Sequence, residues 1–340
     1  MKQKSNDEML KAWRTFLIYW HTTEWRDVKV SKVNTIIGKY ISFPIPKDIN
    51  NPDVGNKFYI SVKEVLNPFS TLERMMFDMY NQLKLGSTEN EYCRFCKFFD
   101  KNLAGPIPFF HIGENVSTDK YGILFVGKNS WYDIKDYNEE RGDECVADAR
   151  DTGLLSLCRI SNKSAYWKSI ITVMEELYPD LTFDERIKNI AITNIMKCNT
   201  GGEVRTPEDK TPKEIRDVCI GKCGVIEKEI ELLKPKRVIF MTGRDYDEYI
   251  KSFKYGRDNE CLIGEGEDIT VSEGNENPIR LQSRTFINKD GTDILFTLRI
   301  SHPERKKQDK FMKAVLEWIN NTVTFENEIK KIYASQTRHK

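Results

Sequence analysis

Three polar residues, Asn129, Asn194 and His302, each stand just past a short apolar run. The runs are Ile123-Leu124-Phe125-Val126 before Gly127-Lys128-Asn129-Ser130-Trp131, Ile190-Ala191-Ile192-Thr193 before Asn194, and Ile294-Leu295-Phe296-Thr297-Leu298 before Ser301-His302-Pro303. A carboxamide presents a donor beside an acceptor but has no useful basicity, so it can read a polar edge or orient a water without taking its proton. An imidazole can give or take one. A fourth run, Arg237-Val238-Ile239-Phe240-Met241, ends at Thr242-Gly243. Helical patterns separate the four, which predicts parallel strands whose C-terminal ends gather the two amides and the imidazole in one cleft. The expected fold is α/β: a three-layer α/β/α sandwich around a central, mostly parallel four-stranded sheet, with an N-terminal extension.

The cysteines form a second set with chemical potential. Cys93-Arg94-Phe95-Cys96 is a C-x-x-C pair ahead of the first strand, Cys198 follows Asn194, and Cys219 and Cys223 lie four residues apart on the next helical pattern, hence on one face. Four thiolates from three segments suit an iron–sulfur cluster or a structural zinc. On spacing alone, a pair at Cys93 and Cys96 with the remaining thiols in the core is an equal reading. Cys145, Cys158 and Cys261 have no partner pattern.

The elements that position these residues are legible in outline. Lys163 to Leu177 reads as a helix with Ala165, Tyr166, Ile170, Val173, Met174 and Leu177 close to one face. Thr211-Pro212-Lys213-Glu214 is a helix start, with a Thr cap, Pro at the first position and Glu completing a capping box, and the helix is expected to run to about Leu233 before Pro235. A last helix begins near Lys310, the tail from Ser335 is expected to fray, and Gly264 to Asn277 reads as a surface insertion. Residues 1–88 have a different texture, with aromatic-rich helical stretches at Met9–Trp20 and Thr71–Phe77 and a loop from Phe43 to Asp53. They are read as an extension to a domain spanning 89–335, their aromatics as core at helical spacing.

The 340-residue chain can bury a substantial core, and its 53 Lys and Arg against 52 Asp and Glu leave no global field to draw in a polyanion. Nucleic-acid contact therefore needs a local patch. Mean hydropathy is negative and no apolar run reaches the ~18 residues of a membrane helix. The opening residues lead into no signal-peptide core, so a cytoplasmic protein without membrane contact is expected. Eight cysteines in that compartment point to metal ligands or thiols, not a disulfide framework.

Taken in order, these motifs resemble the uracil-DNA glycosylase superfamily, especially its iron–sulfur branch. The resemblance is carried by Cys93 and Cys96, Gly127-Lys128-Asn129-Ser130-Trp131, Thr193-Asn194-Ile195-Met196-Lys197-Cys198, Arg205-Thr206-Pro207, Cys219 or Cys223, Lys234-Pro235-Lys236 and Ser301-His302-Pro303, in the family's order and at its intervals over about residues 90 to 320. It implies a monofunctional DNA glycosylase, monomeric, that flips a modified or damaged pyrimidine out of DNA and leaves an abasic site. It implies a 4Fe–4S cluster on Cys93, Cys96, Cys198 and either Cys219 or Cys223, with structural zinc as the alternative. The helix carrying the last two cysteines is about one turn longer than the family pattern, so both stay open.

The resemblance also assigns roles. Asn129 matches the water-positioning residue, His302 the histidine that donates to a pyrimidine carbonyl as the bond breaks, and Asn194 the amide that reads the pyrimidine edge. Gly127, Lys128, Ser130 and Trp131 line the substrate, with Trp131 where some relatives screen the fifth position of the base. Arg305, Lys306 and Lys307 follow His302 where the family inserts a loop into the minor groove, and would contact phosphates. That loop has no apolar wedge, and the first motif lacks the branch's acidic residue. With the enlarged N-terminal part, these departures fit a bulkier base, such as the glucosylated hydroxymethylcytosine of phage DNA that bacterial defence enzymes of this superfamily remove, beside uracil, the default. A catalytically inactive DNA-binding module on the same fold is the alternative.

Overall fold

The computed structural model describes residues 6–85, 89–95, 109–128, 142–158, 164–197, 213–253, 260–265, 269–271, 279–288, 293–303 and 308–337. Among these the chain is a mixed α/β protein. Its strands are β1 (His111–Ile112), β2 (Ile123–Gly127), β3 (Ile190–Asn194), β4 (Arg237–Phe240), β5 (Glu260–Glu265), β6 (Ile269–Val271), β7 (Ile279–Asn288) and β8 (Ile294–Arg299). Its helices are α1 (Asn6–Thr22), α2 (Val30–Ile37), α3 (Pro52–Leu66), α4 (Thr71–Leu83), α5 (Gly142–Leu157), α6 (Ala165–Leu177), α7 (Phe183–Ile187), α8 (Lys213–Arg216), α9 (Val225–Leu233), α10 (Asp247–Ser252) and α11 (Gln308–Thr337).

The sheet runs β1-β3-β2-β4-β8-β7-β5, with β6 also pairing β7. The pairs β2/β3, β2/β4 and β4/β8 are parallel, whereas β1 lies antiparallel on β3, β7 on β8, and β5 and β6 on β7. The four apolar runs thus become four adjacent parallel strands, but the sheet is mixed and wider than four strands. Part of the added width comes from the segment expected as a surface insertion. Gly264 and Glu265 end β5, which carries a register shift between Leu262 and Gly264, and Ile269–Val271 pairs with β7. The surrounding Gly-, Glu- and Asn-rich composition hid these strands, because backbone pairing leaves no mark on composition.

Each central strand is buried along its whole length, and alternation sorts its side chains between two cores. Ile123, Phe125, Ile190, Ile192, Ile239, Phe296, Leu298 and Ile300 join one cluster with Trp167, Ile170, Val173 and Met174 of α6, Val315 and Ile319 of α11, and the N-terminal Trp13, Phe16 and Leu17. Leu124, Val126, Ala191, Val238, Phe240 and Leu295 join the other, with Ile226 and Ile230 of α9, Ile250 of α10 and Met76 and Tyr80 of α4. The N-terminal aromatics are therefore core, as their spacing implies, and share one continuous apolar cluster with the sheet.

The helix expected from Glu214 to Leu233 is interrupted. After α8 the backbone takes π-helical turns over Asp217–Lys222, where the Cys223 amide donates to the Val218 carbonyl at 3.0 Å, and Gly224 at φ +58° separates this stretch from α9. A left-handed residue ends a helix, and glycine adopts that conformation without a Cβ penalty. Elsewhere α6 begins at Ala165 after Ser164, and α11 is a 30-residue helix reaching Thr337.

His111 on β1 makes a prediction about acid stability. Burial pushes its imidazole down to about 4 from an ordinary 6.5, while a ring nitrogen lies 2.6 Å from the Ile187 carbonyl and donates to it. The unfolded chain takes up a proton near 6.5 and the folded one only near 4, so the contribution is complete above about 6.5 and is lost as pH falls toward 4. Urea unfolding of wild type and His111→Gln between pH 7 and pH 4 should show a steeper acid loss in the wild type. Parallel curves would remove His111 as the cause.

Candidate functional site

The site grows out of strand parity. On the face covered by α6, alternating positions of β2 and β3 run Ile123, Phe125, Gly127 and Ile190, Ile192, Asn194, joined by Ile239 of β4 and Phe296 and Leu298 of β8; Met241 and Gly243 follow just past β4, and Ile300 and His302 just past β8. At the C-terminal rim each apolar series therefore gives way to glycine, an amide or an imidazole. In sheet order the rim reads Asn194, Gly127, Gly243, His302. Two polar residues flank two positions without side chains. Three strand spacings separate the outer pair, roughly 14 Å between backbones.

Hydrogen bonds extend the parallel pairing through this rim. The Ile195 amide donates to the Gly127 carbonyl and the Met196 amide to the Lys128 carbonyl, both at 2.9 Å, while the Gly243 amide donates to the Ile300 carbonyl at 2.9 Å. Gly127 lies in register with Asn194, and a Cβ on Gly127 would collide with the Asn194 Oδ1. The glycine is what lets a buried amide, 5 % exposed, lie across β2. Gly243 has φ +73°, and its Cβ position is 3.7 Å from the His302 amide nitrogen. Here glycine serves conformation first and clearance second.

Tyr166, in the first turn of α6, closes this group. The same Cβ position on Gly127 is 3.0 Å from the Tyr166 Oη, and the Tyr166 ring lies 6.4 Å from the His302 ring at an interplanar angle of 17°. Asn194 and His302 are thus brought to one rim through Tyr166, with half-buried Lys128 beside them. Asn129, Ser130 and Trp131 lie outside the described residues, as do Arg205, Thr206 and Pro207, and the basic Arg305, Lys306 and Lys307. Tyr166 itself was assigned only to an apolar helix face. Its first-turn position was the available signal, because a helix returning between parallel strands starts over their C-terminal ends.

Beneath the rim, on the opposite face, a polar network is sealed in the core. The Lys197 ammonium pairs with Glu229 and donates to the Thr193 Oγ1 at 2.6 Å; the Thr193 hydroxyl donates to the other Glu229 oxygen at 3.1 Å, and the Tyr80 hydroxyl donates to Glu229. Side chains of Lys197 and Glu229 are 1 % and 0 % exposed. Burial pushes the Lys197 ammonium down and the Glu229 carboxyl up, each away from its charged form, and their pairing opposes both shifts. The residues flanking Asn194 and Cys198 in the chain are tied in this way to α9 and to N-terminal α4.

The cysteines cluster around this second core. Cys93 opens a short turn held by Asn90, whose Oδ1 accepts from the Cys93 amide at 2.7 Å and the Tyr92 amide at 2.8 Å. Cys93 and Cys223 are buried in the same apolar cluster, Cys219 packs against it, and Cys219 is close enough to Lys197 to act on its ammonium. Cys96 and Cys198 lie outside the described residues, and among the described residues no group of three or more His, Cys, Asp or Glu is placed to hold a metal. A cavity of about 570 Å³ lies elsewhere, between the N-terminal helices and β1, lined by Leu66, Phe69, Phe110, His111 and Arg150. None of the rim residues borders it. Among the described residues no helix is long and apolar enough to cross a membrane.

No family model matches the chain. No curated protein matches it either.

The buried pair yields a quantitative expectation. Glu229→Leu leaves the Lys197 ammonium in the core without its carboxylate and should cost about 3–5 kcal/mol in urea unfolding, whereas Glu229→Leu with Lys197→Met removes the desolvation along with the pair and should recover more than half of that. A double variant as unstable as the single one would show that the stranded charge is not the cost.

Proposed function

We propose that this chain is a monofunctional DNA glycosylase, built as a three-layer sandwich of the uracil-DNA glycosylase type, that excises a modified or damaged pyrimidine. The observation that carries the reading is the rim itself: an amide at the end of β3 and an imidazole just past β8, with two glycines between them at the C-terminal ends of four parallel strands. Such a slot suits a flat ring with a polar edge, and a base reaches it only after extrusion from the helix. Cleavage of the N-glycosidic bond leaves positive charge on the sugar and negative charge on the departing base, so donors fixed in advance where that charge appears lower the barrier. His302 is the donor to a pyrimidine carbonyl, and Asn194, buried and braced by Gly127, reads the base edge with donor and acceptor together. Asn129 orients the attacking water through its carbonyl oxygen; lacking basicity, it restricts the enzyme to bases that leave readily. Arg305, Lys306 and Lys307, just after His302, bind phosphates.

An iron–sulfur cluster belongs to the same proposal. Cys93 and Cys223 share one core, Cys219 borders it, and the Lys197 ammonium beside Cys219 would offset thiolate charge. Cys93, Cys96 and Cys198 with either Cys219 or Cys223 make up the four donors, and a resident cluster would hold the turn at Cys93, the segment after β3 and the π-helical stretch together. Purified without oxygen, the protein should be brown, absorbing in the visible blue, and should lose the colour on Cys93→Ser. Colourless protein carrying zinc would overturn the cluster.

The activity is tested on duplex and single-stranded oligonucleotides containing uracil, hydroxymethylcytosine or glucosylated hydroxymethylcytosine, followed by alkaline cleavage. At least one should yield broken strands, with His302→Ala and Asn194→Ala each lowering kcat/KM by about 10²–10³-fold. Intact strands throughout, combined with a mobility shift, would identify a DNA-binding module without catalysis.

A further inference from the structure

The Tyr166 hydroxyl has no use in the scheme above. It is buried and has no hydrogen-bond partner among the described residues. Leaving such a group unmade costs roughly 1–3 kcal/mol, so phenylalanine would serve α6 better if packing were the only requirement. The ring is already held by packing: it sits edge-on to Trp167 at 5.3 Å and 86°, and nearly parallel to His302. Its oxygen therefore adds nothing to the position of the ring. That oxygen points to the place above Gly127 where a side chain is absent, the same place approached by the Asn194 Oδ1. The hydroxyl and the Asn194 amide oxygen thus meet over Gly127, with the His302 ring beside the Tyr166 ring.

Resting on the glycosylase reading, we propose that Tyr166 is a substrate-binding residue whose phenol donates a hydrogen bond to an oxygen of the extruded pyrimidine, beside the Asn194 amide. Burial raises the phenol above the ordinary tyrosine range, so the group stays protonated and acts as a donor throughout the neutral range. Among the described residues the hydroxyl finds no partner, and an extruded base would supply one. This is discrimination by a buried polar group: a ring without an oxygen at that point would leave the hydroxyl stranded.

Tyr166→Phe tests the proposal, since it removes one oxygen and keeps the ring. Melting temperature of the free protein and kcat/KM on whichever oligonucleotide the wild type cleaves are measured together. The expected result is a melting temperature at or above that of the wild type with kcat/KM lowered about tenfold, a pairing that marks a group held for substrate at the expense of stability. An unchanged kcat/KM overturns the assignment and leaves the glycosylase reading standing. A fall in both quantities also overturns it, because that is the behaviour of a packing residue. Failure of the wild type to release a base from any of the oligonucleotides overturns both proposals.

Discussion

Everything at the rim depends on the two-residue period of the β-strand. Successive side chains must point to opposite faces, so a strand buried on both sides splits its residues between two cores and has no freedom to aim one of them elsewhere. In β2 and β3, Phe125 and Ile192 commit the next same-face positions, Gly127 and Asn194, to the side covered by α6. His302 follows just past the end of β8, where its ring lies beside that of Tyr166. A one-residue slip in any of these strands would bury the polar residue on the wrong face and expose an apolar one. The apolar pattern thus both stabilises the sheet and aims the chemistry. Each buried Ile or Phe along these strands contributes about 1.5–3 kcal/mol, and that burial is what holds Asn194 and His302 in place.

Parity also explains which parts of the molecule could be read from the chain. The four central strands were visible because runs such as Ile123-Leu124-Phe125-Val126 are buried on both faces and are continuously apolar. The edge strands were not: β5 and β6 draw on a stretch rich in Gly, Glu and Asn, and pairing to β7 is supplied by backbone groups that leave no mark on composition. Likewise, Gly224 in the helical pattern after Glu214 marked the break, but Cys219 and Cys223 at a four-residue interval masked it, since that interval looks the same in a continuous helix. Asn194 and His302 were legible as strand-end residues. Tyr166 was not, because an aromatic in register with Ile170 and Val173 looks like core until the orientation of α6 over the strand ends is known. Lys197 and Glu229, 32 positions apart, could be matched only once β3 and α9 were packed.

The network at Lys197 shows a different constraint. Two opposite charges sealed in an apolar core gain little over a hydrophobic pair, because desolvation cancels most of their attraction. Their value lies in geometry. Thr193, Lys197, Glu229 and Tyr80 come from three elements, and each hydrogen bond is met only if β3, α9 and α4 sit in one arrangement. Thr193 precedes Asn194, and its side chain points to the opposite face. Fixing Thr193 from below therefore fixes the backbone from which Asn194 projects above. Lys197, four residues on, does the same for the segment leading into Cys198. The cysteine-bearing core and the polar rim are thus linked through one short stretch, 193 to 197.

The N-terminal helices belong to the same mechanical argument. Lys63 and the Tyr59 hydroxyl both meet Asp151 of α5, Arg150 pairs with Glu73 at 2.9 Å while lying 4.4 Å over the Phe69 ring, and Arg14 reaches Asp184 of α7 at 3.0 Å. These contacts bind α1, α3 and α4 to the helices that cover one face of the sheet, and the apolar cluster through Trp13, Phe16 and Leu17 is continuous with Trp167 and Ile170 of α6. Packing α5 and α6 against a further layer of helices holds Tyr166 over Gly127. The N-terminal helices are thus coupled to α6, and through it to the rim, by packing.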